Sequence, residues 1–505
     1  MTRKRHRRTE EQEAALTAVE QEAALAAGTE PTEAPDPRSV ARASRGQRRR
    51  TLGPLPAGAV FARPLVAIVG RPNVGKSTLF NRLAGRRLAI VEDTPGVTRD
   101  RHYADTLMYG REIVLVDTGG FDPESDDPMM GSIARQVRLA LAECDLVVCV
   151  LDASVEPQTA DREAVRLLRE SRKPVIFVAN KSDTPRLALE ANSYYRLGVE
   201  MLIPVSALHG HGTGDLEQAV LDALPPAEAL ATLPRLDGVA RVAITGKPNA
   251  GKSSLVNRLL GQERQIVDDR PGTTVDAVDA LLERDGRRLV LIDTAGIRRK
   301  SHVDESVESL AVLQAIRSME RSDLVVLLLD ASVGVAEQDA KIIGLAEDRG
   351  RAIVIALNKC DLLDDAAQRQ ATTRARDVLA FVPWAPLLRI SARSGRGVKK
   401  FLTAIEAAVE AHGKRITTAQ LNRFFEEVLD RHPPPVHRGK PVRLYYVTQT
   451  QVSPPTFTII ANYPDAVHFS YQRYVVNQIR AAFGFEGTPV RVFYKPRRRR
   501  EGSQG

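Results

Sequence analysis

The sequence predicts an α/β protein with two tandem copies of one mainly parallel sheet, helices on both faces, followed by a small α+β domain. Three observations carry this. Short, fully apolar segments alternate with helical stretches, the pattern of parallel strands buried on both faces. The pattern then repeats, with an offset of 176 residues at Gly70 and Gly246 and again at Asp117 and Asp293. After about residue 413 it changes to the order α-β-β-α-β.

In the first copy Leu65 to Val69 reads as a buried strand ending at a glycine, and Ser77 to Leu83 as the helix that follows. The second copy repeats the unit with Val239 to Thr245 and Ser253 to Leu259. Asp145 to Leu151 and Pro174 to Ala179 read as later strands, matched by Asp323 to Leu329 and Ala352 to Leu357. Pro225, Pro226 and Pro234 mark the connection between copies. In the last domain the expected elements are a helix over 419–429, strands over 442–448 and 456–461, a helix over 471–483 and a strand over 489–494. The boundaries are thus a charged, flexible arm at 1–60, domains at 64–227 and 239–412 joined by a linker at 228–238, a third domain at 413–497 and a basic end at 498–505.

A chain of 505 residues exceeds what one hydrophobic core organises. With 43% apolar and 27% charged residues and no apolar run near the roughly 18 residues of a membrane helix, the composition is that of a soluble globular protein without membrane partners. The basic first residues lead into an acidic, Ala-rich segment instead of an export core, so a cytoplasmic location is expected. Cys144, Cys149 and Cys360 form no Cys-x-x-Cys pair and read as core residues in a reducing compartment. The net charge is +9, and residues 413–505 hold 15 Lys/Arg against 6 Asp/Glu, so a polyanionic partner is expected there.

Gly70-Arg71-Pro72-Asn73-Val74-Gly75-Lys76-Ser77, followed by Thr78, and Gly246-Lys247-Pro248-Asn249-Ala250-Gly251-Lys252-Ser253, followed by Ser254, both fit G-x-x-x-x-G-K-[ST]. Glycines let backbone amides converge on phosphates at a helix N-terminus, the lysine reaches the β- and γ-phosphates and the serine hydroxyl ligates Mg²⁺. Asp117-Thr118-Gly119-Gly120 and Asp293-Thr294-Ala295-Gly296 end apolar strands, with the aspartate near the metal and the glycine amide facing the γ-phosphate. Asn180-Lys181-Ser182-Asp183 and Asn358-Lys359-Cys360-Asp361 fit N-K-x-D. That carboxylate accepts from N1–H and the exocyclic amine of guanine, a donor pair adenine lacks. Ser206-Ala207 and Ser391-Ala392 complete the set, the alanine amide being expected to meet guanine O6. Together these predict two GTP/GDP sites.

These motifs resemble those of the translation-factor-like, Era-type GTPases. Two such domains followed by an α-β-β-α-β domain resemble the double-Era (EngA/Der) family over roughly residues 64 to 497. The resemblance implies two tandem P-loop GTPase domains and a KH-like domain, a slow GTP-hydrolysing switch, and a role in biogenesis of the large (50S) ribosomal subunit. It places Thr98 and Thr274 as switch threonines that close on Mg²⁺ and the γ-phosphate, giving Ser77, Thr98, Asp117, Ser253, Thr274 and Asp293 as metal ligands. The groups acting in hydrolysis are then Lys76, Thr98, Gly120, Lys252, Thr274 and Gly296. Phe121 and Ile297 stand where Ras-like enzymes have a water-orienting glutamine, and neither side chain polarises water. The loop asparagines Asn73 and Asn249 imply a bound K⁺ in relatives that carry them, so K⁺-stimulated hydrolysis is expected, bracing of the loop being the plainer role.

Gly484-Phe485-Glu486-Gly487 matches the G-x-x-G of RNA-binding KH modules only superficially, because it lies between a helix and a strand and Glu486 repels phosphate. Arg497 to Arg500 are the better candidates for contact with ribosomal RNA, ahead of Arg3 to Arg8 and Arg48 to Arg50. Tyr445, Tyr446, Phe457 and Phe469 read as core residues, not base-stacking platforms. The alternative function is a GTP-sensing, RNA-binding scaffold in which only one domain turns over. A tRNA-modification GTPase would need a C-terminal cysteine, and none follows Cys360. A monomer is expected.

Overall fold

A computed structural model describes residues 63–85, 103–120, 129–225, 239–262, 279–284, 286–294, 308–436 and 439–497. The arm at 1–60, the linker at 228–238 and Arg498 to Arg500 lie outside them. Among the described residues no helix is long and apolar enough to cross a membrane.

The first domain runs β1 (Leu65–Val69), α1 (Lys76–Ala84), β2 (Tyr103–Met108), β3 (Arg111–Asp117), α2 (Met129–Glu143), β4 (Leu146–Asp152), α3 (Thr159–Arg169), β5 (Val175–Asn180), α4 (Pro185–Glu190), β6 (Leu202–Pro204) and α5 (Thr213–Ala223). The second repeats it as β7 (Ala240–Thr245), α6 (Lys252–Gln262), β8 (Ala280–Arg284), β9 (Arg287–Ile292), α7 (Glu308–Glu320), β10 (Leu324–Asp330), α8 (Glu337–Asp348), β11 (Ala352–Asn358), α9 (Asp365–Val378), β12 (Leu387–Arg389) and α10 (Val398–His412). The sheet orders, β2-β3-β1-β4-β5-β6 and β12-β11-β10-β7-β9-β8, are one topology read from opposite edges. Only β2 and β8 run antiparallel to their neighbours. The sequence reading did not separate these edge strands, although Asp285-Gly286 is a two-residue hairpin signal. In the first copy the turn is Tyr109-Gly110, both at positive φ.

The domains meet through an apolar seam with a charged lock beside it. Val312 and Ile316 of α7 join the core cluster of the first domain that contains Ile133 and Val137 of α2, and Leu313 packs on Val116 and Leu139. Arg63, two residues before β1, donates to Glu320 at the end of α7 through Nε (2.9 Å) and Nη2 (2.8 Å), and to Asp105 on β2 through Nη1 (2.7 Å). Arg349, just after α8, donates to the same Glu320 at 2.7 Å. Glu320 is 2% exposed. Burial alone would raise its pKa, but Arg63 and Arg349 hold it down at about 2.

The third domain comprises α11 (Thr418–Arg431), β13 (Leu444–Gln451), β14 (Thr456–Ala461), α12 (Phe469–Phe483) and β15 (Arg491–Pro496), in the sheet order β13-β14-β15. The expected α-β-β-α-β order is observed, with one strand matching at both ends and other ends displaced by up to three residues. One reading of this domain changes and another gains a physical reason. The Gly484 to Gly487 loop is an interdomain contact: Phe485 is buried, Gly487 N donates to Trp384 O (3.0 Å) and Gly487 O accepts from Ile353 N (2.8 Å). Of the four aromatics expected in the core, only Phe457 is there. Tyr445, Tyr446 and Phe469 are 43%, 48% and 41% exposed. A register irregularity between Leu444 and Tyr446 breaks the strict alternation of β13, turning both tyrosines outward. Phe469 opens α12 beneath the Arg473 guanidinium.

Glu320→Gln removes the anion that Arg63 and Arg349 share and leaves both guanidinium groups with Asp105 alone. Loss of about 3 kcal/mol is expected, read as a lower denaturant midpoint at pH 7. Because the pKa of Glu320 is depressed on folding, its contribution is complete above its ordinary value of 4.5 and disappears as the pH falls to about 2. The difference between the two proteins should close across that interval.

Candidate active sites

Both phosphate loops leave the end of a central strand and feed the first turn of a helix, so their amides and the positive end of the helix dipole point at one spot. Val74 and Ala250 anchor the loops in the core, whereas Pro72, Asn73, Pro248 and Asn249 face outward. Asn73 and Asn249 both have φ 65, the left-handed conformation that asparagine tolerates better than most residues, so backbone geometry alone accounts for the residue type. Among the described residues, neither carboxamide hydrogen-bonds to protein. Gly75 and Gly251 have φ 92 and 95. A Cβ on either would stand 2.3 Å from the Nδ2 of Asn180 or Asn358. No other residue fits between the loop and that asparagine.

Those asparagines tie the two halves of each site together. Asn180 Nδ2 donates to Val74 O at 2.8 Å while its Oδ1 accepts from Ala207 N at 2.9 Å. Asn358 does the same with Ala250 O (2.8 Å) and Ala392 N (2.8 Å). The alanine amides expected to face guanine O6 are therefore engaged by the asparagines. Ser206 Oγ donates to Asp183 Oδ1 at 2.5 Å, which orients that carboxylate, and both Asp183 and Asp361 are exposed, which leaves them open to a ligand. Ser391 Oγ accepts from Ser394 N at 3.0 Å, as Ser206 Oγ does from His209 N at 3.1 Å. The third motif position is structural: Ser182 Oγ and Cys360 Sγ each donate to the strand behind, at 2.9 and 3.2 Å. All three cysteines are buried and free, and burial raises their thiol pKa values.

Lys76 Nζ donates to Gly70 O (2.8 Å) and Arg71 O (2.9 Å), and Lys252 Nζ to Gly246 O and Lys247 O, both at 2.7 Å. Burial lowers the pKa of each ammonium, that of Lys252 to about 8. Ser77 Oγ donates to Asp117 Oδ2 at 2.7 Å, which brings two hard oxygen donors together at the mouth of the loop and suits Mg²⁺. Asp117 Oδ1 accepts from Gly119 N (2.9 Å), and Thr118 Oγ1 caps Ile68 O (2.9 Å). In the second copy Asp293 follows β9 directly and Thr294 is buried. Gly120 ends the short 3-10 turn after β3. Thr98, Phe121, Thr274, Ala295, Gly296 and Ile297 lie outside the described residues.

One pair of residues in each site escaped the sequence reading. Asp152, at the end of β4, accepts from Lys181 Nζ at 2.7 Å and from Ser154 N and Oγ at 3.0 and 2.5 Å. Burial would raise its pKa, but these bonds keep it below the usual range. Asp330 pairs with Lys359 (2.7 Å) and Ser332 in the same way. The identical Leu-Asp-Ala-Ser-Val in both copies, at 151–155 and 329–333, was the available signal.

The family profile described as "50S ribosome-binding GTPase" matches residues 65–181 and 241–359, and "KH-domain-like of EngA bacterial GTPase enzymes, C-terminal" matches residues 415–495. The chain is 48% identical to the GTPase Der of Moorella thermoacetica over 441 residues, covering 87% of this chain and 100% of the relative. It is 45% identical to that of Geotalea daltonii (87% and 99% covered) and 47% identical to that of Myxococcus xanthus (86% and 96%). With two guanine-nucleotide domains and the EngA-type third domain in their expected order, the chain belongs to the EngA/Der family of GTPases and hydrolyses GTP.

Proposed function

We propose that the protein is a cytoplasmic switch with two GTP sites, bounded at 64–227 and 239–412, whose nucleotide states govern its action on the large (50S) ribosomal subunit during assembly. The observation that carries the two-site reading is the pair of asparagine ties, which hold phosphate loop and guanine motif at one geometry in both copies. The 50S reading is supported by the description of the matching family and by the basic third domain.

In each site the loop amides hold the phosphates, Lys76 or Lys252 turns from its carbonyl partners to the β- and γ-phosphates, and Asp183 or Asp361 selects guanine. Ser77 with Asp117, and Ser253 with Asp293, would hold Mg²⁺, joined by Thr98 and Thr274. Bound there, the ion supplies charge neutralisation at the phosphate oxygens. With Phe121 and Ile297 unable to orient water, turnover rests on positioning and positive charge. The carboxamides of Asn73 and Asn249, without a protein partner among the described residues, are available to a K⁺ ion. The matching tie geometry favours turnover in both copies over a scaffold with one silent site.

Lys76→Ala and Lys252→Ala should each lower single-turnover hydrolysis at its own site by roughly 100-fold or more. A variant that keeps the parental rate removes the enzymatic role of that domain. Hydrolysis should be faster in K⁺ than in Na⁺ at matched ionic strength, and equal rates would dismiss the K⁺ assignment. In co-sedimentation with 50S particles, binding should differ between GDP and a non-hydrolysable GTP analogue. Indifference to nucleotide would sink the switch.

A further inference from the structure

The two sites differ at the residue that follows the first loop glycine. In the first, Arg71 lies between two buried carboxylates, with Nη2 3.4 Å from Asp152 Oδ2 and Nε 3.3 Å from Asp161 Oδ2. The second contact is an ion pair, not an aligned hydrogen bond. Both acids are fixed independently of the arginine. Ser154 and Lys181 hold Asp152, and Asp161 caps α3 by accepting from Gln158 N at 3.0 Å. Side-chain exposures of 11% for Arg71, 4% for Asp152 and 1% for Asp161 keep this row largely out of reach of solvent screening. A continuous charged chain thus runs from Lys181 of the guanine motif through Asp152 to Arg71, whose own carbonyl holds Lys76 Nζ.

The second site has every part except the middle one. Lys359 and Ser332 hold Asp330, and Asp339 caps α8 by accepting from Ala336 N at 3.0 Å. Lys247 occupies the arginine position, yet among the described residues no ion pair joins it to either acid, and Asp339 Oδ1 is buried without a hydrogen-bond partner. The reason is shape. A planar guanidinium presents donors to two carboxylates at once, whereas an ammonium is a single point of charge on a flexible stem.

We propose that Arg71 is a positioning residue that locks the phosphate loop of the first site to Lys181, and that Lys247 leaves the second loop unlocked. The first site therefore retains nucleotide longer than the second. This rests on the assignment of both loops as nucleotide sites. Loss of the lock costs the binding state a charge-assisted contact, which corresponds to a change in release of roughly three- to tenfold.

The experiment is a reciprocal swap in the full chain, reading dissociation of a fluorescent GDP analogue against excess GDP. Asp361→Asn silences guanine binding at the second site, because an amide cannot accept from both guanine donors, and Asp183→Asn silences the first. In the Asp361→Asn background, Arg71→Lys should accelerate release about three- to tenfold. In the Asp183→Asn background, Lys247→Arg should slow it by a similar factor. A general folding defect speeds release and does not slow it, so the second arm separates positioning from scaffolding. An unchanged rate in Arg71→Lys, or a Lys247→Arg protein that releases nucleotide as fast as its parent, overturns the lock while leaving the sites intact. If neither background loses its share of bound nucleotide, the site assignment itself fails and the lock falls with it.

Discussion

The carboxamide of Asn180, with Asn358 as its counterpart, is the contact on which each site depends. It stands at the end of a strand whose residues are buried from its second position on, so its position is set by sheet register and not by the loop it touches. From there it reaches one carbonyl of the phosphate loop and one amide of the Ser-Ala turn. Those loops are separated by more than a hundred residues, and each on its own would sample many conformations. Fixing both to one rigid side chain holds the loop proposed for phosphate and the turn beside the proposed base-reading motif in a single geometry. The glycine at 75 or 251 follows from this, since the amide nitrogen occupies the space a side chain would need.

The duplicated domains agree on this tie and on the acids that support it, so their differences lie in what surrounds a common frame. One copy offers an arginine and the other a lysine at the second loop position. The copies also serve different neighbours. The first contributes Arg63 and Asp105 to the charged lock, while the second supplies Glu320 and Arg349 and, through Trp384 and Ile353, receives the third domain. The second domain is accordingly the hub, with the end of α7 facing the first domain, the start of β11 facing the third, and the end of α8 touching both through Arg349 and Asp348.

Sequence reading recovered what is encoded locally. The phosphate loops, the guanine motifs and the central strands each need particular residue types at fixed spacing, and the structure holds them where the spacing implied. Contacts between distant segments left no such trace. Arg63 and Glu320 are 257 positions apart and belong to no periodic pattern. Asp161 and Asp339 look like ordinary helix caps, a role they also fill. Tyr445 and Tyr446 were misread because one irregularity in β13 reverses the parity on which inward and outward assignment rests. The loop at 484–487 matched a recognition motif only superficially, and no local pattern signalled that its glycine packs against the neighbouring domain.

That packing bears on how the molecule can be taken apart. The peptide of Gly487 is hydrogen-bonded on both sides to the second domain, and His412 at the end of α10 shares a buried bond of 2.8 Å with Thr488. A fragment ending near residue 412 would bare that histidine and the walls around it to water. One comprising only the first domain would expose Val116 and Leu139 and leave Arg63 without Glu320. Kinetic constants measured on excised pieces therefore describe surfaces that are covered when the three domains are joined, and rates assigned to either site call for all three domains together.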